Sequence, residues 1–570
     1  TTCTHCACPL SEAWRAHIAR LWTIYAASNP RVIWIEDDIR TFNHSPVRYG
    51  CFCPEHMRRF STKAGRTVAR EELVAAMLKP GQPHPWRAIY LDMQAEIMND
   101  TVAFLAGVVH KTSPATCLGL MSSGPRNHAL EGRRWREFAT ALGGGTQIFS
   151  RPPMGSYNEN SLRELYYSHD SIKLTRHCMP PGAVELTEVE SVPFTQYSKS
   201  AAFTFVEVAL SLGYGAHGVT MNLYDHAGTP MAIDPLLGPA LAARKRWLES
   251  VGRACQTPGV FRGVQLLFDQ RESYRRRMPS GATYHQLAAD GYAMMLALEG
   301  CGIATTYDRE EVVATCGQTL RALDDDAIRR LLRGGMLLDA EAAAVLVGRG
   351  FGDAIGLAKI DPPRPADSFG PLSAEEFFNP GFGGAARNYL TLTLPHLGRS
   401  VLIDRMQPAR GAGIISSFVD PDTRRKMPAM HAFRNRWGGR VVVSALAFGS
   451  AVGPAFFHPF RRAQLQGAVR WLSRDRPSLL VEGPGAYPLA LRRDVGNATV
   501  LGFFNLTLDP WASVRFTLAE SRRPACARVL DEKGRWVETR ALKVSGNGRV
   551  LTVDYTAAVP FDAPVFVKIC

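Results

Sequence analysis

The chain has 570 residues, a formal charge of +14 and 46% hydrophobic residues. That length allows about three or four domains and that composition describes a globular chain, while no apolar run reaches the ~20 residues needed to cross a bilayer. The charge excess is scattered, with short clusters only at Arg275–Arg277 and Arg424–Lys426, so it reads as a solvated basic surface rather than a nucleic-acid face.

Residues 1 to about 250 alternate helix and strand patterns, the signature of a parallel α/β sheet or barrel. Helical stretches fall at 11–28, 54–65, 70–78, 87–112 and 197–212, and a long helix at 235–253 closes the unit. Strand candidates are Val32–Glu36, Thr116–Met121, Thr146–Phe149, Val184–Glu188 and Gly218–Asn222. Five strands fall short of the closed (β/α)8 TIM barrel of ~250 residues, so about three βα units are expected to precede Thr1. A smaller open sheet is the alternative. Residues 260–360 repeat the short strand–helix texture, which predicts a second, doubly wound, flavodoxin-like block. From Pro362 the chain turns β-rich, and 484–570 alternates in the manner of a β-sandwich. The expected units are 1–255, 256–475 (with a β insertion) and 476–570.

Two strand candidates end in carboxylates. Val32–Ile35 runs into Glu36-Asp37-Asp38, and Val184-Glu185-Leu186-Thr187 into Glu188-Val189-Glu190. Charges are costly to bury without partners, so such strand ends open into a polar cleft, and in α/β folds the site lies at that end. Strand alternation puts Glu188 and Glu190 on one face. Two carboxylate sets converging on one mouth suit retaining glycoside hydrolysis, in which one group protonates the leaving oxygen and another, roughly 5 Å away, attacks the anomeric carbon. The plainer readings are an acidic loop, or acids paired with arginine or a cation. Strand-end position alone nominates Arg40, His44, Arg48, Arg151, Tyr157, Tyr197, Asn222, Tyr224 and Asp225 as residues lining the mouth.

Twelve cysteines are too few for a disulfide scaffold. Five cluster, as Cys3, Cys6 and Cys8 and then Cys51 and Cys53, which favours metal over disulfide and a reducing, cytoplasmic compartment. Cys51, Cys53 and His56 offer three ligands for a structural zinc, and Cys6 or Cys8 a fourth. Inert reduced thiols are the alternative.

These residues resemble the clan A glycoside hydrolases, and within them family 42, the β-galactosidase group. The resemblance is carried by Trp34 followed by acids, by Cys51-Phe52-Cys53-Pro54-Glu55-His56, by Glu190-Ser191-Val192-Pro193, by the 260–360 pattern including Gly335–Asp339, and by the terminal β region. It implies that Glu190 is the nucleophile and that Val32–Glu36 is the fourth barrel strand. It also implies a zinc segment at Cys51–His56, its fourth cysteine drawn from upstream, and an amidotransferase-like trimerisation domain over 260–360. The family's acid/base is a Glu preceded by Asn, yet here those positions hold Ile39 and Asp38. The proton donor must then be Asp38, Asp37 or Glu36; Asp38 is taken first and Glu36 second, with Glu188 completing the acidic set. Cys301 and Cys316 lie in no Gly-x-Cys-x-Gly elbow, so the second block reads as an interaction surface of a homo-oligomer, with a glutamine amidotransferase as the minor alternative. The reading that results is an exo-acting, retaining β-glycosidase of galactosidase, mannosidase or glucosidase type. It would take a glycoside substrate, with no catalytic cofactor and no nucleic-acid or membrane partner. The alternative of another class is a carbohydrate-binding or scaffold protein on a degenerate barrel.

Overall fold

Strands β1 (Val32–Ile35), β2 (Cys117–Met121), β3 (Phe149–Arg151), β4 (Val184–Glu190) and β5 (Gly218–Asn222) form one sheet in that spatial order. Every neighbouring pair is parallel. The computed structural model describes residues 7–570 except 37–38, 42–49, 155, 229, 257, 362–363, 366–373, 385–387, 393–401, 421–422, 454–455 and 521–523. Parallel neighbours need a crossover, and helices supply it: Trp135–Gly143 between β2 and β3, Leu165–Cys178 between β3 and β4, and Ala201–Gly213 between β4 and β5. Strands that follow one another without a reversal are wound as in a barrel, whereas a doubly wound sheet reverses at a switch point. The five strands are thus an arc of a TIM-type barrel, as expected.

Local chemistry sets these elements. Helix Pro85–Thr112 opens with Pro85 in its first turn, where a missing N–H costs nothing, and with His84 accepting from the Trp86 amide at 3.2 Å. On β2, a Cβ at Gly119 would lie 2.4 Å from the Trp34 ring. Glycine there lets the Trp34 indole of β1 lie across the neighbouring strand and meet Phe149 of β3 edge-on at 6.1 Å. The expected strand Thr146–Phe149 is observed three residues later along the chain, which brings Arg151 into β3 itself.

The second unit is built on a nine-stranded sheet. Its parallel part contains Val264–Leu266, Thr305–Thr306, Val312–Thr315, Gly335–Leu338 and Arg440–Ser444; its antiparallel part extends through Lys426–Arg434 and Gly413–Val419. Met336, Leu337 and Leu338 are all fully buried, as a parallel strand covered on both faces requires. The turn after this strand carries no nucleophile. Asp339 occupies it and caps helix Ala340–Gly348, accepting from the amides of Ala342 at 2.9 Å, Gly317 at 3.1 Å and Phe448 at 3.1 Å. Cys301 and Cys316 are buried, and burial pushes the Cys301 thiol up to about 12. Neither is an activated thiolate.

The third unit is two antiparallel sheets whose facing residues, among them Phe503, Val567, Phe516 and Val553, share one core. Val260–Arg262 pairs with Pro488–Val495 and Leu480–Glu482 with Val514–Ala519, so the strand after residue 255 belongs to the terminal sheets and not to the second block. Cys526 and Cys570, outside the cysteine cluster, form a disulfide. Among the described residues, no helix is long and apolar enough to cross a membrane.

Candidate active site

The C-terminal end of β4 delivers two carboxylates. Glu188 is buried and Glu190 half-buried, and their side chains are hydrogen-bonded to one another. Each is held by the adjacent strand. Arg151 at the end of β3 places Nη2 2.5 Å from Glu188 Oε2. Asn222 stands in register with Glu190 across β4 and β5, and its Nδ2 donates to Glu190 Oε1 at 2.7 Å. The chain leaving β3 runs on beside β4: the Glu188 amide donates to Pro152 O at 3.0 Å, the Met154 amide to Glu188 O at 3.1 Å, and the Val192 amide to Tyr157 O at 2.9 Å. This lays Tyr157 against the pair, with its hydroxyl hydrogen-bonded to Glu188.

The electrostatics follow from that crowding. Burial pushes the Glu188 carboxyl up to about 7; Arg151 pulls it down, and the neighbouring Glu190 adds to the rise. Tyr157 is pushed well up by burial and by the Glu188 charge. A carboxyl raised by burial beside a second acid keeps its proton toward neutrality.

The other nominated residues divide. Glu36 is exposed at the end of β1. Asp37, Asp38, His44 and Arg48 lie outside the described residues. Arg40 Nη1 donates to Ser123 Oγ at 3.3 Å beyond the end of β2. Tyr224 donates to Asp234 Oδ2 at 2.9 Å, and Asp225 accepts from the Ala227 amide at 2.8 Å, so both shape the loop after β5. Tyr197 was expected beside the nucleophile but is 97% exposed: a loop residue beyond the strand end keeps no alternation to aim it.

Two features went unforeseen. His226 lies 3.0 Å from Asn222 Nδ2 and stacks on Phe194 with ring centroids 4.1 Å apart, forming a rim beside Glu190. The buried trio His128, Glu131 and Arg133 grips the backbone just after the β1 acids. Glu131 Oε2 accepts from the Thr41 amide at 2.9 Å, and Arg133 donates to Ile39 O. Burial alone would raise Glu131, but Arg133, His128 and the Thr41 amide outweigh it and hold the carboxyl down at about 2. No spacing in Glu131-Gly132-Arg133 signals this in the sequence. The signal for His226 was weak: it lies four residues past Asn222 on an irregular loop.

Cys8, Cys51, Cys53 and His56 bring their ligand atoms within 4.8 Å of one another. Cys8 Sγ lies 3.4 Å and Cys53 Sγ 3.3 Å from His56 Nδ1. Cys53 caps helix Pro54–Ala64, which sets His56 in its first turn, and Cys8 O accepts from the amide of Ser11, the cap of helix Glu12–Ala26. Three soft sulfurs and an imidazole gathered from two helix starts suit a tetrahedral metal ion.

No protein-family model matches the sequence, and no curated protein matches it. Solved structures do. The β-galactosidase from Bacillus circulans sp. alkalophilus is 12% identical, with 99% of this chain and 83% of that one covered at a TM-score of 0.60. The chain has the fold of the family 42 glycoside hydrolases. Gan42B, a GH42 β-galactosidase from G. stearothermophilus, is 13% identical with 99% and 82% covered and a TM-score of 0.59. The polyextremophilic β-galactosidase from the haloarchaeon Halorubrum lacusprofundi is 12% identical with 100% and 85% covered and a TM-score of 0.60. At these identities the likeness is one of fold.

Proposed function

We infer that the protein is a retaining glycoside hydrolase acting on terminal β-linked sugars, in the manner of a β-galactosidase. The observation that carries this is the Glu188–Glu190 pair at the C-terminal end of β4, mutually hydrogen-bonded and clamped by Arg151 and Asn222. The fold shared with structures described as β-galactosidases supports it. In this reading Glu190 attacks the anomeric carbon. A carboxyl group of the Glu36–Asp38 segment, Asp38 first, gives its proton to the glycosidic oxygen as that bond breaks. The same group then takes a proton from the water that cleaves the glycosyl–Glu190 ester. Asn222 orients Glu190 Oε1. Glu188, pushed up to about 7 by burial, keeps a proton toward neutrality beside Glu190. Arg151 and Tyr157 fix Glu188 in turn.

Cys8, Cys51, Cys53 and His56 would hold a structural zinc ion, which stabilises the loop after β1 and takes no part in the chemistry. The second unit, which carries no elbow nucleophile, would serve homo-oligomer contacts, a trimer among them. Glu190→Gly assayed on β-galactoside, β-mannoside, β-glucoside and α-arabinoside aryl substrates tests the assignment. Turnover should vanish and return with azide, giving the α-glycosyl azide. A β-glycosyl azide would make Glu190 the acid/base. A second reading, a carbohydrate-binding protein without turnover, is favoured by one observation: Ile39 stands where the resemblance implies the acid/base Glu. Sugar binding with no hydrolysis by the wild type would establish it.

A further inference from the structure

A cavity of about 740 Å³ lies between helix Pro459–Leu472 and the loop Gly483–Tyr487, which joins Leu480–Glu482 to Pro488–Val495 in the terminal sheets. None of the residues placed around the Glu188–Glu190 pair lines it. Arg462, Gln466 and Arg470 recur every four residues, so one face of the helix turns to the cavity, and Gly300, Phe457 and Tyr487 add to the wall. A Cβ at Gly300 would lie 2.4 Å from Phe457 Cε1, and Phe457 meets Tyr487 edge-on with centroids 5.4 Å apart.

Three groups in this wall are short of partners. A guanidinium has five N–H donors. Arg462 Nη1 donates to Gly483 O at 3.0 Å and Nη2 to Gly485 O, and no carboxylate among the described residues pairs with it. The groups that favour its charge are the Cys301 thiol and the Tyr166 hydroxyl. Burial pushes both up, Cys301 to about 12, so both stay neutral at pH 7. Glu482, the one carboxylate among the lining residues, is taken by Arg470. The second group is Gln466, 6% exposed. Its Nε2 donates to Cys301 O at 2.9 Å and to Val481 O at 2.8 Å, which fixes the amide and leaves Oε1 an acceptor without a donor. The third is the Tyr487 hydroxyl. Tyr487 makes its side-chain contacts through its ring, with Phe457 and with the Arg163 guanidinium at 4.0 Å, and its hydroxyl has no hydrogen-bond partner among the described residues.

These groups define a ligand. The Arg462 guanidinium calls for one negative charge, the Gln466 acceptor and the Tyr487 hydroxyl for hydroxyl groups, and the Phe457 ring for an apolar face. A phosphate monoester would bring almost two charges at pH 7 to one uncommitted cation. A sugar with a carboxylate brings one charge, several hydroxyls and a ring of C–H groups. We propose that this cavity binds an acidic sugar, a uronic acid or a chain ending in one, its carboxylate on Arg462, its hydroxyls on Gln466 Oε1 and the Tyr487 hydroxyl, and its ring against Phe457. The volume suits a small ligand, since such pockets run from about 300 to 1,000 Å³. The inference does not depend on the glycosidase reading.

The test is calorimetry and thermal denaturation of the full chain with galacturonate, inorganic phosphate and acetate, each at pH 7 and at an ionic strength fixed with chloride. Galacturonate should bind saturably and raise Tm, and acetate and phosphate should do neither. Arg462→Gln should weaken galacturonate binding about tenfold or more, and Tyr487→Phe, which removes a hydroxyl the fold does not use, about threefold. Glu190→Gln should leave it unchanged. Should Arg462→Gln not fold, Tyr487→Phe alone decides. The proposal is overturned if galacturonate does no more than acetate, if phosphate binds as tightly as galacturonate, if Arg462→Gln and Tyr487→Phe both bind as the wild type does, or if Glu190→Gln abolishes binding, which would put the sugar in the cleft.

Discussion

Glu188 and Glu299 are both buried carboxyl groups, yet they are driven in opposite directions. Glu188, at the mouth of the β-strand arc, is pushed up to about 7. Glu299, where helix Leu165–Cys178 meets the second unit, is held down at about 2. Burial raises both, so the neighbours decide. Glu299 faces His169 and Lys173, the latter at 2.6 Å, with the Thr305 hydroxyl as a further donor. Glu188 faces one cation, Arg151, and a second acid, Glu190. A carboxylate among cations is locked as an anion and serves the fold; one beside another acid keeps a mobile proton and can serve chemistry.

The sharpest way to break this contrast is to neutralise each partner. Glu190→Gln should cut turnover of a β-galactoside about a thousandfold or more, with little change in unfolding temperature, as read by aryl-glycoside kinetics and calorimetry. Glu299→Gln should do the reverse. Leaving Lys173 buried without a counter-charge should cost about 3–5 kcal/mol in denaturant unfolding, while kcat of the surviving folded protein stays near wild type. Acid titration sharpens the comparison further. Glu299 lies below its ordinary 4.5, so its stabilisation is full above pH ~4.5 and is lost as pH falls toward 2. Glu188 lies above 4.5, so its contribution is present below pH ~4.5 and is lost as pH rises through 7. Glu188→Gln should flatten stability between pH 4.5 and 7 and shift the limb of the kcat/KM profile nearest 7. Cys53→Ser, or chelation, should lower Tm by about 5 °C or more, with zinc released in equal proportion to chain. Tyr197→Ala should change nothing measurable in kcat/KM, because the side chain is 97% exposed.

The strand arc was legible because each strand is a short apolar run closed by polar residues, and the acidic ends of β1 and β4 were legible because charge does not belong inside a sheet. The metal cluster was legible from Cys51-Phe52-Cys53 and His56; the structure brings Cys8 to the group, while Cys6 lies outside the described residues. Other features had no one-dimensional signal. Helix Leu165–Cys178 hides its period because His169, Asp170 and Lys173 are buried against partners more than a hundred residues away, such as Tyr307 and Glu299. Val312–Thr315 is four residues, all buried, too short to tell from a helix fragment. Val260–Arg262 joins the terminal sheet through Pro488–Val495, a pairing across more than two hundred residues. Arg151 and Asn222 were nominated by strand-end position; their grip on Glu188 and Glu190 depends on inter-strand register, which three-dimensional pairing alone supplies.

The central claim is that Glu190 forms the covalent bond to sugar. Incubation with a 2-deoxy-2-fluoro-β-galactosyl donor bearing a good leaving group, followed by proteolysis and mass spectrometry, tests it most directly. The account predicts one fluorosugar per chain, attached at Glu190 in the peptide spanning the end of β4. A label on Glu188 or on any other carboxylate, in an enzyme that turns over the parent glycoside, would contradict it.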